Sequence, residues 1–165
     1  MLAVAIKLSL PLQKLFQHPL TNIEIEYLAH ELGIFNFRGC FMKDSLPRQI
    51  HSSESRVVNL QNSDSTGSHW VAYFNDPAFD KVEYFDSFGV IPPGEIEFYL
   101  RSSKKPLVYN STQHQNLRSV LCGWFCMLFI NERWKGAKPY ELATRRIDEK
   151  AVKSYRPFRT ALGCQ

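Results

Sequence analysis

Three short segments carry the residue types that could do chemistry together. The first is Gly67-Ser68-His69-Trp70, and the second is Phe85-Asp86-Ser87-Phe88-Gly89. The third is Gln115, six intervening residues, and then Cys122-Gly123-Trp124-Phe125-Cys126. A thiol beside an imidazole is a nucleophile with its own base. A carboxylate behind the imidazole can fix its tautomer and orientation. A side-chain amide can donate to an oxyanion, alongside backbone N–H groups. Cys122 falls where a loop becomes a helix, and N–H groups at a helix N-terminus favour a thiolate. Gly123 is expected to let a substrate backbone approach closely. Trp70 and Trp124 read either as walls of a substrate channel or as core packing. Gln113 is a rival to Gln115 as the amide donor.

These residues need elements to position them. Thr21-Asn22-Ile23-Glu24 is a capping box, and Ile25, Leu28, Ala29 and Leu32 then mark one helical face that Gly33 ends. Residues 34–50 read as a loop-rich stretch. Residues 56–60 read as a strand, followed by a polar turn over 62–68. His69 to Phe74 is apolar on both faces, as a central strand covered on both sides would be. Asp76-Pro77 opens a turn, and Lys81 to Asp86 returns antiparallel to it. Pro92-Pro93 precedes a short helix carrying Ile96, Tyr99 and Leu100. Leu107 to Tyr109 is a further strand, residues 122–134 form a strongly apolar helix, and Pro139 begins another that runs to about Arg146. Strands first and helices last, without regular alternation, indicate an α+β class.

The chain has 165 residues with 44% hydrophobic and 22% charged, which suits one globular domain and excludes a disordered or coiled-coil chain. One domain is expected over 1–165, with 1–20 and 147–165 peripheral. No run of apolar residues is long enough for a transmembrane helix. Lys7 interrupts the apolar N-terminus, so no signal peptide is read there and secretion is not expected. Cys40, Cys122, Cys126 and Cys164 do not form a secreted disulfide framework and suit a reducing compartment. Cys122 and Cys126 could share a zinc ion, but no further ligands follow at regular spacing, so Cys126 reads as a small core residue. No metal and no cofactor are expected. Glu54 and Asp44 could bind substrate, but read more simply as solvated loop charges. Residues 1–143 hold 14 basic and 14 acidic groups, so the net charge of +4 lies in the tail with Arg145, Arg146, Lys150, Lys153, Arg156 and Arg159. That block is either a solvated end or a non-specific contact for DNA, through Arg145, Arg146, Lys150 and Lys153.

The segments TGSHWVAYFNDP, VEYFDSFG and Q-x6-CGWFCMLF resemble the adenovirus-type endopeptidases, within the wider ubiquitin-like-protein protease clan. The resemblance covers roughly residues 30–135. It differs in Asp86, where the adenoviral branch often has Glu. It also lacks a Cys between Ser102 and Thr112, where adenoviral enzymes bond an activating peptide. The resemblance implies a papain-like, circularly permuted α+β fold, with a mixed or antiparallel sheet flanked by helices. The nucleophile would stand at the N-terminus of a buried helix. It implies Cys122 as nucleophile, His69 as base and acid, Asp86 as its orienting partner and Gln115 at the oxyanion. It further implies cleavage of viral structural precursors at small Gly-containing motifs, in the host nucleus or the virion; a monomer is expected. Two alternatives stand beside this reading. One is an isopeptidase acting on ubiquitin-like Gly-Gly substrates. The other is a non-catalytic capsid or nucleic-acid-binding protein on the same fold.

Overall fold

The computed structural model describes residues 12–65, 68–136 and 147–163. Its frame is a five-stranded sheet in the order β1-β2-β3-β4-β5, with β1 Phe37–Met42, β2 Glu54–Asn59, β3 Trp70–Asn75, β4 Val82–Phe85 and β5 Leu107–Tyr109. The two outer pairings, β1 with β2 and β4 with β5, are parallel. The two inner pairings are antiparallel, with Val57 opposite Ala72 and Ala72 opposite Phe85. The sheet is therefore mixed, and the hairpin expected between residues 69 and 86 is its centre.

Alternation along these strands separates two cores. Val57, Ala72, Phe74 and Phe85 face one layer, built on the helices α2 (Asn22–Glu31) and α4 (Cys122–Trp134). Val58, Val71, Tyr73, Val82 and Tyr84 face the other, closed by Ile96, Tyr99 and Leu100 of α3 (Gly94–Arg101). Because both faces are covered, β2, β3 and β4 read as continuous apolar or buried runs. The Thr21 cap of α2 forms as expected: its hydroxyl accepts from the Glu24 N–H at 3.3 Å, and Glu24 accepts from the Thr21 N–H at 2.8 Å. Gly33, at φ +68°, follows the end of α2.

Three expectations need correction. Residues 34–50 are not simply loop, because they contain β1. This strand is half-exposed at the sheet edge and interrupted by Gly39 at φ +92°, where the register with β2 shifts. The two ends are not peripheral where they are described. Leu15 and Phe16, at the end of the short α1 (Leu12–Leu15), are buried with Leu20 in the α4 core. Ile147, Val152 of α5 (Glu149–Lys153) and Phe158 of α6 (Arg156–Ala161) join the same cluster. Glu54 is no solvated loop charge either. It is fully buried at the start of β2, where it accepts from Arg56 Nε at 2.9 Å, Tyr99 Oη at 2.5 Å and Tyr73 Oη. Asp44 does behave as a loop acid, accepting from Ser63 N at 2.9 Å. The helix expected from Pro139 to Arg146 lies outside the described residues.

Candidate active site

The centre of the site is assembled from three neighbouring elements of the fold. His69 immediately precedes β3, Asp86 immediately follows β4, and Cys122 is the first residue of α4. The antiparallel hairpin sets the first two side by side. His69 Nε2 lies 2.7 Å from Asp86 Oδ1. The same oxygen accepts from the Phe88 N–H at 2.9 Å, so the carboxylate is held from two sides. With Nε2 committed to Asp86, the ring nitrogen left for the thiol is Nδ1, and Cys122 lies near enough to raise the basicity of the ring. Phe88 stacks on the imidazole with centroids 4.7 Å apart and fixes its plane.

His69 is only 13% exposed. Burial alone lowers its basicity, but the hydrogen bonds to Asp86 and Cys122 outweigh burial and hold its pKa up to about 9. The pair is therefore poised as an imidazolium near neutral pH. No side chain caps α4, where Leu121 is the N-cap residue. Its first-turn N–H groups have no intrahelical acceptor and point toward the Cys122 end.

Asp86 is held rigidly through its main chain. Asn110, just past β5, accepts from the Asp86 N–H at 2.9 Å and donates to the Asp86 carbonyl at 2.6 Å. Gly89 closes this turn at φ +73° through its N–H to Asp86 O at 2.8 Å. A Cβ at Gly89 would stand 2.8 Å from the Thr112 carbonyl carbon, so no other residue fits. The Asp-Ser-Phe-Gly run is thus one built turn rather than four independent residues. Asn110 carries no signal in the sequence by which its role could be read.

Gln115 is buried in the loop that leads to α4. Its Oε1 accepts from Ser87 Oγ at 2.6 Å, and its Nε2 donates to the Ser119 carbonyl at 2.8 Å. It is therefore tied to the residue next to Asp86. Gln113 is exposed, and its Nε2 donates to the Gln115 carbonyl at 2.9 Å, bracing the backbone of its rival.

A cleft of about 730 Å³ opens beside Cys122, between Leu20, Phe41, Met42 and Trp70. Trp70 is thus placed on the cleft, with its Nε1 donating to the Leu20 carbonyl at 2.8 Å. The other two expected substrate contacts are not. Trp124 is fully buried in the core, edge-on to Phe16 and Phe158 at 4.7 and 5.1 Å. Gly123 faces protein rather than substrate, since a Cβ there would meet Leu20 Cβ at 3.1 Å and Trp70 Cδ1 at 3.4 Å. The glycine lets the chain around Leu20 close over α4. Leu20 itself escaped sequence reasoning, because it precedes the capping box in a segment without periodicity.

Cys126 is fully buried beneath the site, its Sγ 3.3 Å from the Trp70 carbonyl. Among the described residues no group of three or more His, Cys, Asp or Glu side chains is placed to hold a metal ion. Among them, too, no helix is long and apolar enough to cross a membrane. In the tail, Lys150 and Lys153 are exposed, with Lys153 Nζ 3.8 Å from Glu149 Oε2. Arg145 and Arg146 lie outside the described residues.

No family model matches the sequence. The chain is similar to curated viral proteases. It is 32% identical over 119 residues to the SUMO-1 cysteine protease of African swine fever virus, from a Kenyan pig isolate, covering 64% of this chain and 42% of that protein. It is 29% identical over 127 residues to the protease of Porcine adenovirus A serotype 3, covering 67% of this chain and 62% of that protein. The chain thus spans less than half the length of the swine fever virus relative. Among solved structures, the African swine fever virus protease superposes with a TM-score of 0.66 at 21% identity, covering 88% of this chain and 68% of that one. The SUMO protease Ulp1 superposes with a TM-score of 0.57 at 16% identity, covering 87% of this chain and 76% of that one. The α+β fold is therefore shared with the Ulp1-like proteases, and the sequence relatives are viral cysteine proteases.

Proposed function

We propose that the chain is a cysteine endopeptidase. The observation that carries this reading is the His69–Asp86 pair, 2.7 Å apart, with Cys122 near enough to the ring to raise its basicity. The Cys122 thiolate attacks the carbonyl carbon of the scissile amide. The resulting oxyanion is held by Gln115 Nε2 and by first-turn N–H groups of α4. His69 gives its proton to the leaving nitrogen as the C–N bond breaks, which leaves a thioester on Cys122. Neutral His69 then takes a proton from water, whose oxygen attacks the thioester. Collapse of the second tetrahedral species releases the carboxylic acid and restores the thiolate. Asp86 keeps the imidazole in place throughout. Each role falls to this chain's own side chains and backbone N–H groups and needs no cofactor.

The proposed substrate is a viral structural precursor, cut at small Gly-containing motifs during particle maturation in the host nucleus or the virion. The supporting features are the cleft of about 730 Å³ beside Cys122, lined by Leu20, Phe41, Met42 and Trp70, and the similarity to viral proteases. The site is complete within one copy of the chain, which favours a monomer. A second reading is an isopeptidase for ubiquitin-like Gly-Gly termini. It is favoured by the fold shared with Ulp1, which has been solved in complex with Smt3, the yeast ortholog of SUMO.

The test is cleavage of purified structural precursors against SUMO and ubiquitin fusions, with wild type and Cys122→Ala side by side. Precursor cleavage by the wild type and its loss in Cys122→Ala is the expected result. Fusion cleavage alone selects the isopeptidase. Cleavage persisting in Cys122→Ala, or a Cys122 that resists thiol-reactive probes, would overturn the enzymatic reading and favour a non-catalytic capsid or nucleic-acid-binding protein.

A further inference from the structure

Ser87 is fully buried between the two halves of the site, yet the thiol, imidazole and carboxylate make no use of it. We infer that Ser87 is a positioning residue, which sets the side-chain amide of Gln115 so that one N–H of Nε2 is aimed at the substrate oxyanion. This inference rests on the cysteine-protease reading and assigns it a further part.

The argument is one of hydrogen-bond direction. An amide oxygen only accepts and an amide nitrogen only donates. The Ser119 carbonyl also only accepts, so the atom 2.8 Å from it is Nε2. The atom 2.6 Å from Ser87 Oγ is then Oε1, and the hydroxyl donates to it. The Ser119 carbonyl thus selects one of the two flips, and the Ser87 hydroxyl, able to donate or accept, then donates and holds Oε1 in that orientation. One Nε2 hydrogen is spent on Ser119, and the second remains to be offered. The flipped amide would set Oε1 against the Ser119 carbonyl and turn an acceptor toward the developing negative charge.

The backbone of Ser87 performs the same task. Its carbonyl accepts from the N–H of His114 at 2.8 Å and of Gln115 at 3.0 Å, so one residue fixes both the main chain and the side chain of the glutamine. Asp86 and Ser87 are consecutive. One holds His69 and the other holds Gln115, so the end of β4 sets the base and the oxyanion donor in a common frame. With Ser87→Ala, Oε1 would become a buried acceptor without a donor, and only Ser119 would oppose rotation of the amide.

The test separates acyl transfer from simple thiol reactivity. Alkylation of Cys122 by iodoacetamide is a displacement with no oxyanion, so it reports the Cys122–His69 pair alone. Acylation by the p-nitrophenyl ester of acetylglycine, read as the p-nitrophenolate burst, passes through an oxyanion. Ser87→Ala is expected to alkylate at the wild-type rate, within about twofold. Its acylation is expected to slow at least tenfold, toward the roughly 10²–10³-fold loss that removal of an oxyanion donor brings. The double variant Ser87→Ala/Gln115→Ala should acylate no more slowly than Gln115→Ala, because both changes disable one donor. Acylation by Ser87→Ala within threefold of wild type would overturn the inference. So would multiplicative losses in the double variant, or a parallel fall in alkylation, which would make Ser87 a general support of the site. If the wild type itself neither alkylates selectively at Cys122 nor gives a burst, it is the protease reading that fails.

Discussion

Asp86→Asn is the most informative single change at the site. Asn is nearly isosteric, and its amide oxygen can still accept from the Phe88 N–H and from His69 Nε2. The geometry should survive while the negative charge is lost. In the wild type, burial pulls the His69 imidazolium down, but the hydrogen bonds to Asp86 and Cys122 raise it from 6.5 to about 9. At 1.36 kcal/mol per unit, that rise corresponds to roughly 3 kcal/mol favouring the charged ring. Without the carboxylate charge, burial is opposed only by the Cys122 contact and a neutral hydrogen bond. The alkaline limb of kcat/KM, which reports loss of the imidazolium proton, should therefore fall from about 9 by roughly two units in Asp86→Asn. Stability should follow the same group. A folded-state pKa above the unfolded value stabilises fully below pH 6.5, and that contribution is lost as pH rises through about 9. Urea titrations at pH 6 and pH 9.5 should show the wild type losing up to roughly 3 kcal/mol more than Asp86→Asn over this interval. An alkaline limb that stays near 9 in Asp86→Asn would refute the assignment of Asp86 as the group that holds the imidazolium.

Two further outcomes are expected. Gly123→Ala should destabilise by about 1–3 kcal/mol in urea titration, because its Cβ would lie 3.1 Å from Leu20 Cβ in a closed packing; unchanged or raised stability would show that Leu20 yields freely. Binding to duplex DNA should be independent of sequence and fall steeply with salt. Reversing Arg145, Arg146, Lys150 and Lys153 to Glu should then reduce the salt slope by about 0.9 for each phosphate that is no longer neutralised; equal affinities in a low-salt filter-binding titration would leave the tail as a solvated end.

The sheet and the candidate site were legible in the sequence for different reasons. The strands β3 and β4 and the Val57-Val58 centre of β2 announce themselves because both of their faces are covered, so apolar residues follow one another there. His69, Asp86, Gln115 and Cys122 are legible as residue types at a spacing. β1 is not, because its six residues are half-exposed, carry Arg38 and Gly39, and become a strand only by pairing with β2. The tail fails for a related reason. Ile147, Val152 and Phe158 lie in and around two short helices, so they form no single stripe, although all three reach the α4 core.

The errors at the start of α4 have a common origin. Periodicity places Gly123 and Trp124 beside the nucleophile in sequence, but it does not say which side of the first turn meets the cleft. That side is decided by Leu20 and Trp70, which occupy the space over Gly123, and by Phe16 and Phe158, which enclose Trp124. Successive residues leave the helix axis about 100° apart, so neighbours of a nucleophile point away from it as often as toward it. In the turn that follows β4 the result is the opposite. Asp86 and Ser87 point different ways, and each meets a different half of the site. Adjacency to a functional residue thus carries meaning only once the local geometry is known. On α4 it sends Trp124 into the core, and on the strand end it makes Ser87 the link between His69 and Gln115.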